Sequence, residues 1–103
     1  MNYTLSEIAR ICGGTFTGEN QRVTEVVTDS RSCGMPAAPL FVAMCGARHD
    51  SHDFVDGMYA RGVRAFLVER PLDERDGAGY VVVGNAIDAL QRLAADWRRR
   101  FGG

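Results

Sequence analysis

The sequence predicts a small three-layer α/β domain, with a mostly parallel or mixed sheet between helices on both faces, and three observations carry that expectation. Short apolar runs alternate with segments of helical periodicity along the chain. The run Leu40 to Met44 is apolar without alternation, as suits a strand covered on both faces. With 103 residues, 46% of them apolar, the chain makes one domain that can build a core without disulfides.

Thr4 followed by Glu7 is a capping-box pattern, and Leu5, Ile8, Ala9 and Cys12 then fall at helical spacing until Gly13 and Gly14 stop the run. Thr15 to Asn20 reads as a brief extended piece, and Arg22 to Thr28 is β-branched enough to be a strand. Side chains alternate along it, so Thr28 and Ser30 share one face while Asp29 and Arg31 share the other. The following S-C-G-M-P-A-A-P is expected to be a loop, because glycine and two prolines oppose regular structure.

Leu40 to Met44 forms the second strand and Gly46 ends it. Phe54, Val55, Met58 and Tyr59 follow at helical spacing, with Asp50 or Ser51 as N-cap and Gly62 at the close. Ala65 to Glu69 and Tyr80 to Val83 are the third and fourth strands, joined by a solvated loop. The last helix opens at Asn85 and runs to Phe101, with Ile87, Leu90, Leu93, Ala94, Trp97 and Phe101 on one expected core stripe. Arg98, Arg99 and Arg100 occupy its final turn, where cations favour the helix dipole.

Net charge is −1, so no global field recruits nucleic acid or an anionic membrane. All 12 cationic residues are Arg, which excludes lysine Schiff bases and the lysine of a nucleotide-phosphate loop. Cys12, Cys33 and Cys45 lack C-x-x-C spacing, so a reduced, cytoplasmic chain is expected rather than a disulfide framework. The N-terminus has no signal-peptide pattern, and no run reaches the roughly 18 apolar residues of a membrane span. H-D-S-H-D at 49–53 offers His-x-x-His spacing but no third imidazole or cysteine cluster, so no metal is assigned. Ser30 lacks a nucleophile elbow and Cys45 lies in an apolar strand, so no catalytic residue is assigned either.

The stronger signal is Gly46-Ala47-Arg48-His49-Asp50 leading into a helix. Such a loop offers oriented N–H groups to an anion, and Arg48 adds a forked donor suited to phosphate. A nucleotide diphosphate fits this chemistry, although the same pattern also describes an ordinary capped turn.

The strings V-V-T-D-S-R, L-F-V-A-M-C-G-A-R-H-D-S-H-D-F and A-R-G-V-R-A-F-L-V-E together resemble the N-terminal domain of the Mur ligases, over essentially residues 1–103. Within that family, S-H-D-F, R-P-L-D and A-L-Q-R-L-A-A-D-W look most like the members that add D-alanyl-D-alanine to a UDP-N-acetylmuramoyl (UDP-MurNAc) tripeptide. The resemblance implies a cytoplasmic, ATP- and Mg2+-dependent ligase of peptidoglycan synthesis, with UDP-MurNAc-tripeptide and D-Ala-D-Ala as substrates. It further implies that Thr28, Ser30, Ala47, Arg48 and His49 hold the UDP-MurNAc end, with Asp29, Arg31, Gly46 and Asp50 in support. The family's ATP loop, magnesium carboxylates and modified lysine belong to a central domain; none matches here, so the chain by itself is expected to be inactive and to work with central and C-terminal domains in cis. The stretch between D-S-R and L-F-V-A is two residues longer than in ordinary members and resembles the Bacteroidetes-type fusion to an alanine racemase. Two rivals remain at this stage: a diaminopimelate- or lysine-adding member, and a stand-alone module using the Arg-rich helix, for which the scarcity of interleaved aromatics disfavours RNA.

Overall fold

The computed structural model of the protein describes residues 2–27, 38–43, 54–73 and 75–101. In chain order its elements are β1 (Tyr3–Thr4), α1 (Leu5–Cys12), β2 (Thr15–Gly18), β3 (Arg22–Val23), β4 (Glu25–Val27), β5 (Pro39–Val42), α2 (Val55–Ala60), β6 (Ala65–Val68), β7 (Gly79–Val82) and α3 (Ala86–Phe101). The main sheet has the order β2-β7-β6-β5-β4. Its pairs are parallel except β2 with β7, and β1 and β3 make a separate antiparallel ribbon.

Strand periodicity divides the core in two. Leu40 and Val42, Ala65 and Leu67, and Val81 and Val83 point to the side of α1 and α3. Phe41, Ala43, Phe66, Val68 and Tyr80 point to the side of α2, where Val55 and Met58 cover them. Register sets Phe41 opposite Phe66 and Phe66 opposite Tyr80. The aromatic row that results has an edge-to-face contact at 6.4 Å and a stacked one at 5.5 Å. The expected three-layer arrangement is therefore present.

Local signals set the first helix. Thr4 Oγ1 accepts from Glu7 N at 3.3 Å while Glu7 Oε1 accepts from Thr4 N at 2.9 Å. These bonds hold the Glu7 carboxyl below its usual range, the backbone donor contributing most. Gly13 ends the helix at φ 71°, a conformation that a side chain would strain. Gly79 is needed for another reason: a Cβ there would overlap the carbonyl oxygen of Glu19.

Four local expectations are corrected. The single strand expected from Arg22 breaks at Thr24, whose N–H donates to Ala38 O at 2.9 Å. Val23 belongs to the α1 side and Val27 to the α2 side. Residues four apart on an unbroken strand would share a face, so the break is what reconciles them. The Pro-rich loop ends one residue early, because Pro39 opens β5, a position where the missing N–H is tolerated. Helix α2 is capped at Phe54 without a side-chain hydrogen bond, so it starts after the expected caps Asp50 and Ser51, which lie outside the described residues. On α3 the buried stripe is Ala86, Ala89, Leu93 and Asp96, while Ile87 and Trp97 are 58% and 37% exposed. Ala94 and Trp97 lie on the exposed flank, and Leu90, between that flank and the buried stripe, is half-buried against the core.

Asp96 is the only buried charged residue among those described. Its Oδ2 accepts from the Tyr3 hydroxyl at 2.8 Å and from Arg100 Nε at 2.9 Å, and Arg99 reaches Oδ1 at 3.3 Å. This cluster fastens the first ribbon to the last helix.

Leu40, fully buried between the layers, should lose roughly 2 to 5 kcal/mol of stability on truncation to Ala. Tyr3→Phe should cost about 1 to 3 kcal/mol, since it strips a donor from a buried carboxylate. Urea denaturation of both variants against the wild type measures each loss.

Burial, followed by the bond to Asp96, raises the Tyr3 pKa above its ordinary value, and burial pushes the Cys12 thiol from 9.0 up to about 11 against the pull of Arg92. In both cases the folded-state pKa exceeds the unfolded one, so the unfolded chain releases its proton first and rising pH favours unfolding. The stabilisation from neutral Cys12 is complete below pH 9.0 and fades as pH rises toward about 11. The urea midpoint should fall through that window, and Cys12→Ala should flatten the early part of the fall.

Candidate functional site

The expected site depends on two segments, one leaving β4 and one leaving β5. Thr28, Asp29, Ser30, Arg31, Gly46, Ala47, Arg48, His49 and Asp50 all lie outside the described residues. So do Cys33, Cys45 and the H-D-S-H-D motif at 49–53. What the structure supplies is the frame from which these segments depart.

Strands β4 and β5 are adjacent and parallel, with Val26 opposite Leu40 and Val27 opposite Phe41. Both therefore run toward the same edge of the sheet. Val27 and Ala43, the last described residues of each, are buried. Ala43 N–H is tied to Leu67 O at 2.8 Å, which extends the sheet's bonding past the end of β5. Segment 28–37 thus leaves beside segment 44–53. In parallel α/β sheets, this carboxyl edge is where ligands bind.

The rest of that edge is closed to anions. Where α3 begins, Ala86 N donates to Glu69 Oε2 at 2.7 Å and Asp88 N to Asn85 Oδ1 at 2.9 Å. Asn85 caps the helix as expected; Glu69 has no local sequence signal and is brought in from the end of β6. First-turn donors are consumed and a carboxylate stands among them. Helix α2 is six residues long and carries Asp56 in its first turn, where Arg75 Nε holds Asp56 Oδ1 at 2.7 Å. Arg75 also reaches the Tyr80 hydroxyl at 3.2 Å, so it braces the loop after β6 against α2.

Three concavities are lined by described residues. One of about 160 Å3 sits at the amino ends of β5 and β6 beside Arg22 and Arg64. Both arginines are engaged locally. Arg64 donates to Tyr59 O at 2.8 Å and covers the Tyr59 ring at 3.9 Å, and Arg22 donates to Asn2 Oδ1 at 2.9 Å. A second, about 460 Å3, lies between Thr15, Thr17 and the Pro71-Leu72 segment. The third is an apolar groove of about 520 Å3 between β4 and α3. Of its walls, Leu90 and Leu93 pack on the core as the helical spacing predicts, whereas Ala94 and Trp97 lie on the exposed flank.

Among the described residues no three His, Cys, Asp or Glu side chains gather as metal ligands, and no helix is long and apolar enough to cross a membrane. Cys12 is buried, with its thiol donating to Ala89 O at 3.2 Å. A neutral thiol so placed is a packing group rather than a nucleophile.

The family model described as "Mur ligase family, catalytic domain" matches residues 22–98. UDP-N-acetylmuramoyl-tripeptide–D-alanyl-D-alanine ligase of Escherichia coli is 36% identical over 99% of this chain and 19% of its own length. A 2,6-diaminopimelate-adding ligase of Bacillus cereus is 38% identical over 74% of this chain and 15% of its own length. A crystal structure of MurF from Acinetobacter baumannii superposes with a TM-score of 0.80 at 28% identity, over 97% of this chain and 22% of that one. The chain thus spans about a fifth of the length of the D-alanyl-D-alanine-adding relatives it matches.

Proposed function

The chain belongs to the Mur ligase family, and from that membership we propose that it is the N-terminal domain of a D-alanyl-D-alanine-adding ligase, where it holds the UDP-MurNAc end of the tripeptide substrate. The observation that carries this reading is the parallel pairing of β4 with β5, which starts both candidate segments side by side at one sheet edge. In this reading Thr28 and Ser30 follow β4, and Ala47, Arg48 and His49 follow β5. Arg48 supplies a forked donor to phosphate oxygens, Ser30 and Thr28 supply hydroxyls, and Gly46 lets the backbone come close. Asp29 and Arg31 are assigned to bracing the strand end, and Asp50 to supporting the second segment.

The residues here do not fit the ATP and Mg2+ of such a ligase. The chain has no Lys, and its described residues hold no carboxylate cluster of the required kind. Nucleotide and metal are therefore assigned to the central and C-terminal domains in cis. This domain contributes remote binding energy and orientation, which deliver the peptide end to chemistry performed elsewhere. The diaminopimelate-adding reading stands second, supported by the relative that is 38% identical. Against a nucleic-acid module stands the pairing of Arg99 and Arg100 with Asp96, which engages two cations of the arginine run. A racemase fused downstream is part of the proposal only through the longer segment before β5.

The chain alone should release no phosphate from ATP with UDP-MurNAc-tripeptide, D-Ala-D-Ala and magnesium. Turnover above buffer would remove the assignment of ATP to another domain. Offering the full-length enzyme D-Ala-D-Ala or diaminopimelate separates the two ligase readings.

Titration of UDP into the labelled chain should move amide signals of 28–31 and 46–52 before those of 98–100. Arg48→Ala and Ser30→Ala should each weaken binding by roughly 1.5 to 3 kcal/mol, about tenfold to more than a hundredfold, while changing stability by less than about 0.5 kcal/mol. If Arg48→Ala unfolded the chain yet left UDP affinity unchanged, its segment would be scaffold and the site would lie elsewhere.

A further inference from the structure

Helix α3 has more apolar surface than the sheet covers. Its core stripe is completed by Ala86, Ala89 and Leu93. A second stripe, Leu90, Ala94 and Trp97, recurs at three- and four-residue spacing beside Val26 of the edge strand β4, with Ala94 and Trp97 exposed and Leu90 half-buried against the core. Together with Leu93 these residues wall the groove of about 520 Å3, and Arg98 is its one charged lining residue among those described. Val26 and Trp97 are each 37% exposed there. A tryptophan and a valine thus converge with leucines on one hollow, with an arginine at its rim.

We propose that this groove seats the adjoining domain of the same polypeptide in the full-length ligase, through an apolar segment that carries a carboxylate beside Arg98. The proposal rests on the reading of this chain as one domain of a longer enzyme, since the relatives it matches are about five times its length. Contacts between domains of one chain are made by such moderate, part-polar patches, because tethering lowers the cost of association. A second copy fits less well. An isologous pairing presents the same patch from both partners, so two Arg98 guanidiniums would meet on one small apolar surface. Extension of the sheet through β4 is also disfavoured, since that strand is three residues long and carries exposed Glu25.

Ala94 and Ala95 are both exposed on α3, one lining the groove and the other outside it, so the same substitution at each isolates the face. In the full-length ligase, hydroxyl-radical footprinting read by mass spectrometry should show Trp97 protected in the wild type and in Ala95→Glu. In Ala94→Glu its oxidation should rise several-fold. Ala94→Gln, without the charge, should give a smaller rise and serves if the glutamate variant does not fold. Equal oxidation of Trp97 in all variants would overturn the proposal. So would a full-length dimer, seen by sedimentation, that Ala94→Glu dissociates while exposing Trp97, because a second copy would then be the occupant. UDP titration of the same samples separates the two readings. Protection without UDP binding leaves the docking and removes the substrate role; UDP binding with Trp97 open does the reverse.

Discussion

Parallel pairing of β4, β5, β6 and β7 is the constraint on which the rest of this domain depends. A parallel neighbour can be reached only by crossing back over the sheet, so the chain must lay connections on its faces. The crossover through α2 covers one face of β5 and β6, and α1 and α3 cover the other, which is why every residue from Pro39 to Val42 and from Ala65 to Val68 is buried. The same constraint brings all four strands to one edge with their carboxyl ends. Two segments rich in hydroxyl, guanidinium and imidazole groups leave from adjacent strands there as a consequence of burying aliphatic residues. Packing and recognition are thus linked through strand direction, although their residues are different.

Asp96 closes the structure in a different way. A carboxylate that is 7% exposed is tolerated because several donors compensate for its lost hydration. The Tyr3 hydroxyl comes from 93 positions away in sequence, so the cluster holds the two ends of the described chain in register. It also changes what the arginine run means. Arg99 and Arg100 are drawn to Asp96, and Arg100 lies over the Tyr3 ring at 5.7 Å. The run is therefore partly explained by helix anchoring, beyond the dipole argument that composition suggested.

Much of the fold was legible because its signals are local. Thr4 with Glu7, Gly13, Asn85 and the unbroken apolar run from Leu40 each act within a few residues of where they stand. The misreadings share a cause as well. Helical spacing on α3 admits two neighbouring apolar stripes, and spacing alone cannot say which one meets the sheet; the small size of Ala86 and Ala89 decides it. The break at Thr24 answers to two separate core clusters that no strand pattern reveals. Glu69 caps a helix that starts 17 residues later, a pairing available only once β6 and β7 lie side by side. For the site, residue chemistry and family resemblance chose the segments, and the sheet order showed that their starting points are neighbours.

Charge divides the carboxyl edge of the sheet. On the side of β6 and β7, Glu69 and Asn85 take first-turn donors of α3, and the nearby backbone is left with a carboxylate in its midst. An anionic ligand approaching there would meet repulsion and few open N–H groups. On the side of β4 and β5 the departing segments carry Arg31 and Arg48 together with Asp29, Asp50 and Asp53, and no described carboxylate caps either strand end. Mixed charge of this kind suits directed contacts from Arg48 to individual phosphate oxygens, as proposed, rather than attraction by a net field. The acidic cap on α3 stabilises the helix that anchors to Tyr3, so the end of β6 and the first ribbon are both tied to the last helix.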